Sequence, residues 1–145
     1  MNSIAMAKAY IRQATEGPRH AKEAFKEGNY PYVVRQSQEA VELLLKASLR
    51  LVDVELLKWH DVGLVLRKEM DKFSQWFREL MPKLARISRK LRREREHAMY
   101  SDEGLGASSD ELYSVEDAEE ALNWAIEILQ VVSKLFRELV GLEKE

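Results

Sequence analysis

The chain contains no cysteine. Disulfides, thiolate metal sites, iron–sulfur clusters and cysteine nucleophiles are thereby excluded together, and a reducing compartment is the natural setting. Three prolines and six glycines in 145 residues leave few breakpoints, so helices must be long. No apolar run reaches the length of about 18 residues that a membrane span needs. The stretch from Met1 to Tyr10 lacks the basic, apolar and small-residue segments of a signal peptide, so a cytoplasmic protein with no membrane contact is expected. Neither sign of charge dominates: 23 Lys+Arg face 25 Asp+Glu, which excludes a basic nucleic-acid arm and an acidic tail. Thr15 is the single threonine, and Asn2, Asn29 and Asn123 are the only asparagines. With 33% charged residues, that leans toward the composition of heat-adapted proteins.

What is present is 46% apolar residues, enough for one compact domain over residues 1–145 with a real core. The first helix is expected over residues 3–27, stopped by Gly28-Asn29, with a kink or short break at Gly17-Pro18. Tyr30-Pro31 opens a second helix that runs to about Val52. On it Arg35, Gln38, Glu39, Glu42, Lys46 and Arg50 share one narrow polar stripe, while valines and leucines cover the rest. Such a helix must be covered on several sides. A short helix over residues 62–69 follows the Trp59-His60-Asp61 corner. The fourth helix spans residues 75–100, with an irregularity at Pro82 and a core face of Leu80, Leu84, Ile87, Leu91 and Ala98. Residues 101–113, with Gly104, Gly106, Ser108 and Ser109, read as a loop. The last helix starts at Ser114, whose spacing to Asp117 fits a capping box, and continues to about Gly141. No segment alternates with period two, so the fold class is all-α, with four long helices and one short.

The strongest local signal lies in the fourth helix. Lys83, Arg86, Lys90, Arg93, His97 and Tyr100 fall within a stripe about 100° wide, a basic rail that ends in an imidazole and a phenol. Such a rail can hold phosphate oxygens, and a histidine can act on a ribose hydroxyl near neutral pH. The plainer alternative is a solvated charged face. Glu94 lies on the core face and needs a partner, which Lys46 or Arg35 can supply; Arg35, Glu42, Lys46 and Glu94 would then form one polar cluster between helices. Glu42 and Lys46 also stand at the favourable i,i+4 spacing of a helix-stabilising pair. His60 sits at a turn into a helix, where an imidazole caps or packs. His20 is read as having no acidic or histidine neighbour at ligand spacing. No metal site and no cofactor are expected, and Gly104-Leu105-Gly106 is not a phosphate-cradling fingerprint.

Gln38-Glu39-Ala40-Val41-Glu42-Leu43-Leu44-Leu45-Lys46-Ala47, then Trp59-His60-Asp61-Val62, then Arg92 through Asp102 resemble the HEPN family, the higher-eukaryote and prokaryote nucleotide-binding domain. The resemblance covers about residues 5 to 140. It implies an up-and-down bundle of four main helices and a short one, acting as a homodimer. It further implies a metal-independent endoribonuclease of the toxin type, paired with a minimal nucleotidyltransferase antitoxin. The alternative is a non-catalytic module that binds nucleotide or a protein partner. The family motif, Arg-x4-6-His, is matched by Arg92 and His97, which would be catalytic, with Arg86, Lys90, Arg93 and Tyr100 binding RNA. Two departures stand out: Arg93 follows Arg92 where toxins carry a smaller polar residue, and the chain reads His97-Ala98-Met99-Tyr100 rather than His-x-Tyr. Arg92 and His97 also lie about 140° apart on an ideal helix, whereas Arg93 is one turn from His97.

Overall fold

The computed structural model describes residues 3–58, 60–99 and 113–141, and the side chains of 94–99 fall outside the description. Among the described residues every regular element is helical: α1 (Ser3–Lys26), α2 (Tyr30–Leu51), α3 (Val62–Lys68), α4 (Gln75–Met99) and α5 (Val115–Gly141). A single 3₁₀ turn, Met70–Lys72, not foreseen from sequence, joins α3 to α4. The all-α helical bundle expected from the pattern is the one observed. The expected loop after α4, with Gly104 and Gly106, lies outside the described residues.

Local chemistry sets the helix ends. Gly28 adopts a positive φ of 75°, which an L side chain resists. The amide of Asn29 donates to the Ala24 carbonyl at 2.9 Å and that of Gly28 to Phe25 at 3.1 Å, the paired bonds of a Schellman stop. Pro31 then fits the first turn of α2, where its missing N–H costs nothing. At the other end of the chain the Asp117 amide donates to Ser114 Oγ at 3.2 Å and the Ser114 amide to the Asp117 carboxylate at 3.1 Å. That is the reciprocal cap read from the sequence.

Of the kink or short break expected at Gly17-Pro18, the break does not occur. α1 runs unbroken through Pro18, because Gly17 and Pro18 are buried and packing holds the turn that proline weakens. Pro82 likewise lies inside an unbroken α4.

The contact face of α1 is made of small residues. Ala7, Ala14, Gly17, Ala21 and Ala24 are all buried, at the near-3.5 spacing that keeps one seam against a neighbour. α2 is the centre: it packs on α1, α5, α4 and α3, with Val33, Val34, Leu44, Leu45 and Leu49 fully buried. Its apolar circumference is thus covered within one chain. Ser3 Oγ donates to Asp53 at 2.7 Å, which brings the start of α1 beside the end of α2. Trp76 to Glu138, Lys83 to Glu127 and Lys90 to Glu120 set α4 and α5 antiparallel. Of the foreseen α4 core face, Leu84, Ile87 and Leu91 are buried and Leu80 is half-buried.

The tightest point of the bundle is Gly17, where an added Cβ would meet the Ala40 Cβ at 2.9 Å and the Gln36 carbonyl at 3.2 Å. Gly17→Val is expected to lower unfolding free energy by about 1–3 kcal/mol through overpacking. Gly141→Ala, with open space around it, should change stability by less than about 0.5 kcal/mol. Chemical denaturation of both variants checks the contrast.

Candidate functional site

α4 carries six cations between residues 83 and 93, and the helix sorts them by angle. With Arg86 as origin and about 100° per residue, Lys83 and Lys90 lie at about 60° and about 40°, Arg93 at about −20°, Arg89 at about −60° and Arg92 at about −120°. The contacts follow this order. Lys83 Nζ reaches Glu127 at 2.6 Å and Lys90 Nζ reaches Glu120 at 2.7 Å; Lys90 also lies 5.2 Å from the centre of the Trp124 ring. Both lysines of the foreseen rail are therefore drawn to α5. Beside them Glu116, Glu119, Glu120, Asn123, Trp124 and Glu127 line a groove of about 490 Å³, whose carboxylates repel phosphate.

Arg92 points the other way. Its Nη2 lies 3.3 Å from Glu42 Oε1 and 3.5 Å from Oε2, and its Nη1 lies 3.4 Å from Asp61 Oδ2. The guanidinium is thus held between carboxylates from α2 and from the residue that starts α3, with its side chain 34% exposed. Such a two-carboxylate hold orients a planar fork better than a single contact does. At this exposure each pair stabilises the fold by no more than about 1 kcal/mol. The other oxygen of Asp61 accepts the Gly63 amide at 2.8 Å and caps α3. One carboxylate therefore fixes both a helix start and the arginine.

The remaining foreseen residues divide. Arg86 and Arg93 are exposed and make no ion pair among the described residues. His97 lies in α4, one turn beyond Arg93 along the chain, and the side chains of His97 and Glu94 and the whole of Tyr100 fall outside the described residues. A polar link from α2 to α4 runs from Glu42 to Arg92; the expected link of Lys46 or Arg35 to Glu94 involves a side chain outside the described residues. Lys46 lines a 60 Å³ recess with Tyr10, Arg50 and Leu56, and Arg35 lies 5.9 Å from the centre of the Tyr32 ring. Gln38, one turn before Glu42, is 3% exposed and its Oε1 has no hydrogen-bond partner.

The capping residue at the corner is Asp61; His60 beside it is exposed. Asp61 was missed, although an Asp directly before Val62-Gly63 is a cap signature. Arg89 stood in the same basic run but outside the chosen stripe. His20 does have an acidic neighbour: Glu16 stands one turn earlier, 3.8 Å from Nε2, where it also pairs with Arg19. Among the described residues no three His, Cys, Asp or Glu side chains gather as metal ligands would, and no helix is long and apolar enough to cross a membrane.

This site lies within a stretch that matches a family model: residues 7–135 match the HEPN domain. The chain belongs to the HEPN family. A further similarity runs the length of this HEPN chain: it is 32% identical over 148 aligned residues, 98% of this chain and 95% of the other, to a Methanocaldococcus jannaschii protein named "Putative toxin MJ1304". No solved structure matches it significantly. Within the matched stretch Arg92 is an α4 cation with two carboxylate partners, while Arg93 beside it faces solvent.

The double duty of Asp61 separates two variants. Asn caps as well as Asp, so Asp61→Asn should cost under about 1 kcal/mol, the worth of a partly exposed ion pair. Asp61→Ala also loses the cap and should cost about 1–2 kcal/mol. Equal losses in urea denaturation would contradict the cap as described.

Proposed function

We propose that this HEPN protein is a metal-independent endoribonuclease of the toxin type, acting as a cytoplasmic homodimer with a nucleotidyltransferase antitoxin as partner. The observation that carries the reading is that Arg92 of the Arg-x4-His motif stands on α4 already oriented by Glu42 and Asp61. Support also comes from the toxin name of the archaeal relative and from Arg86 and Arg93 exposed along the same helix.

In the reaction the ribose 2′-oxygen forms a bond to phosphorus while the bond from phosphorus to the 5′-oxygen breaks. His97 takes the proton from the 2′-hydroxyl, and the departing 5′-oxygen takes one from water. Arg92 stabilises the charge that grows on the phosphoryl oxygens. Its carboxylate partners hold the guanidinium plane in place before substrate arrives, so less order is lost when phosphate binds. Because Arg92 and His97 diverge around α4, the second protomer completes the constellation. A second reading gives the phosphate to Arg93, favoured by its exposure, its lack of an ion pair among the described residues and its one-turn spacing to His97.

RNA cleavage by the wild type and three variants of verified fold tests these assignments. His97→Ala should lose on the order of 10²-fold or more, and Arg92→Ala a comparable amount. Activity should be unchanged by EDTA. If Arg93→Ala is the most damaging substitution, the second reading replaces the first. Full activity in His97→Ala sinks the proton-transfer role. No cleavage of diverse RNAs by the wild type moves the protein to the non-catalytic nucleotide- or partner-binding class.

A further inference from the structure

α3 and α4 meet through two small residues. A Cβ on Gly63 would lie 3.1 Å from the Ala85 Cβ and 3.3 Å from Asp61 Oδ1, so the two helices touch with almost no side chain between them. One turn later on each helix comes an arginine: Arg67 on α3 and Arg89 on α4. Both are exposed, and together they line a recess of about 150 Å³ with Asp61, Gly63, Leu64 and Ala85.

The carboxylate in that recess is already committed. Asp61 Oδ1 accepts the Gly63 amide and Oδ2 faces Arg92. Neither Arg67 nor Arg89 pairs with it, and neither has an ion-pair partner among the described residues. Three lysines on α4 or the turn before it are paired, Lys72 with Glu69, Lys83 with Glu127 and Lys90 with Glu120, whereas Arg86 and Arg93 share the unpaired state of Arg67 and Arg89 among the described residues. Two guanidinium groups set around one recess, with no counter-charge of their own, form an anion site for a ligand with several oxygens. Leu64, 63% exposed at the rim, adds an apolar surface of the kind a base or ribose can cover.

The geometry points to Arg67 and Arg89 as a second phosphate subsite, separate from the motif residues, that holds the backbone of a single-stranded RNA one nucleotide or more from the cleaved bond. This deepens the ribonuclease reading and rests on it. Arg89 precedes Arg93 by one turn, about 6 Å along α4, a step comparable to that between adjacent phosphates of one strand. An RNA strand would thus run from the α3–α4 recess, past Arg93, toward the end of α4 that carries His97. The acidic α5 side lies across the helix and is avoided.

The test uses a 2′-O-methyl RNA oligonucleotide, which cannot be cleaved through its 2′-oxygen, so binding is read apart from chemistry. Fluorescence anisotropy across a salt titration compares the full-length wild type, Arg67→Gln/Arg89→Gln, and Lys8→Gln/Arg12→Gln on α1 as a charge-matched control. The recess variant should bind on the order of tenfold more weakly, with the slope of log affinity on log salt shallower by about 1.4, the value for two lost contacts to a single strand. The control should stay within about twofold of the wild type. A recess variant with unchanged affinity and slope overturns the subsite, as does an equal loss in the control or a wild type that does not bind. A wild type that binds but fails to cleave natural RNA removes the ribonuclease reading and leaves the recess result standing.

Discussion

Arg92 lies between two carboxylates that come from different parts of the chain, and the arrangement of the site depends on that hold. Glu42 reaches it from the central helix and Asp61 from the start of α3. Because Asp61 also accepts the Gly63 amide, the arginine, the short helix and the long basic helix are positioned by one side chain. The Gly63 to Ala85 approach then fixes how closely α3 can lie on α4. If that approach were looser, Asp61 would be carried away from Arg92 and the recess lined by Arg67 would open.

Charge on α4 supplies a second constraint. Six cations between residues 83 and 93 repel one another and cannot share one environment. The helix disperses them in three directions: toward the glutamates of α5, toward solvent, and toward Glu42 and Asp61. The solvent-facing arginines carry no ion pair among the described residues, while Arg92 is held in one orientation by its carboxylates. A protein whose net charge is −2 can thereby present a local positive face, since field and ligand attraction follow the local distribution more than the total.

Much of the fold was legible because its punctuation is local. Gly28-Asn29, Pro31 and the Ser114 to Asp117 spacing each fix a helix end through groups within a few residues, and the valines and leucines around α2 announce a central helix. The continuity of α1 through Pro18 has the opposite cause: packing against α2 overrides a local breaker, and no local pattern carries that information. The site was legible only as far as it is local too. The basic run on α4 and the motif spacing stand in the sequence, but whether Glu42 faces Lys46 on its own helix or Arg92 on another depends on how α2 and α4 approach. Asp61 carried a readable cap signal, whereas its second contact, to Arg92, arises only when α3 lies against α4. Arg67 and Arg89 are separated by a turn and half a helix in the chain, and their pairing around one recess follows from the two small residues between them.

The central claim is that Glu42 acts through Arg92. A double-mutant cycle with Glu42→Gln, Arg92→Gln and the combined variant, read as the rate of RNA cleavage, addresses it directly. The account predicts strong non-additivity: once Arg92 is replaced, removing the Glu42 carboxylate slows cleavage no further. Losses that multiply, with the combined variant slower than Arg92→Gln by the full factor measured for Glu42→Gln alone, would contradict it.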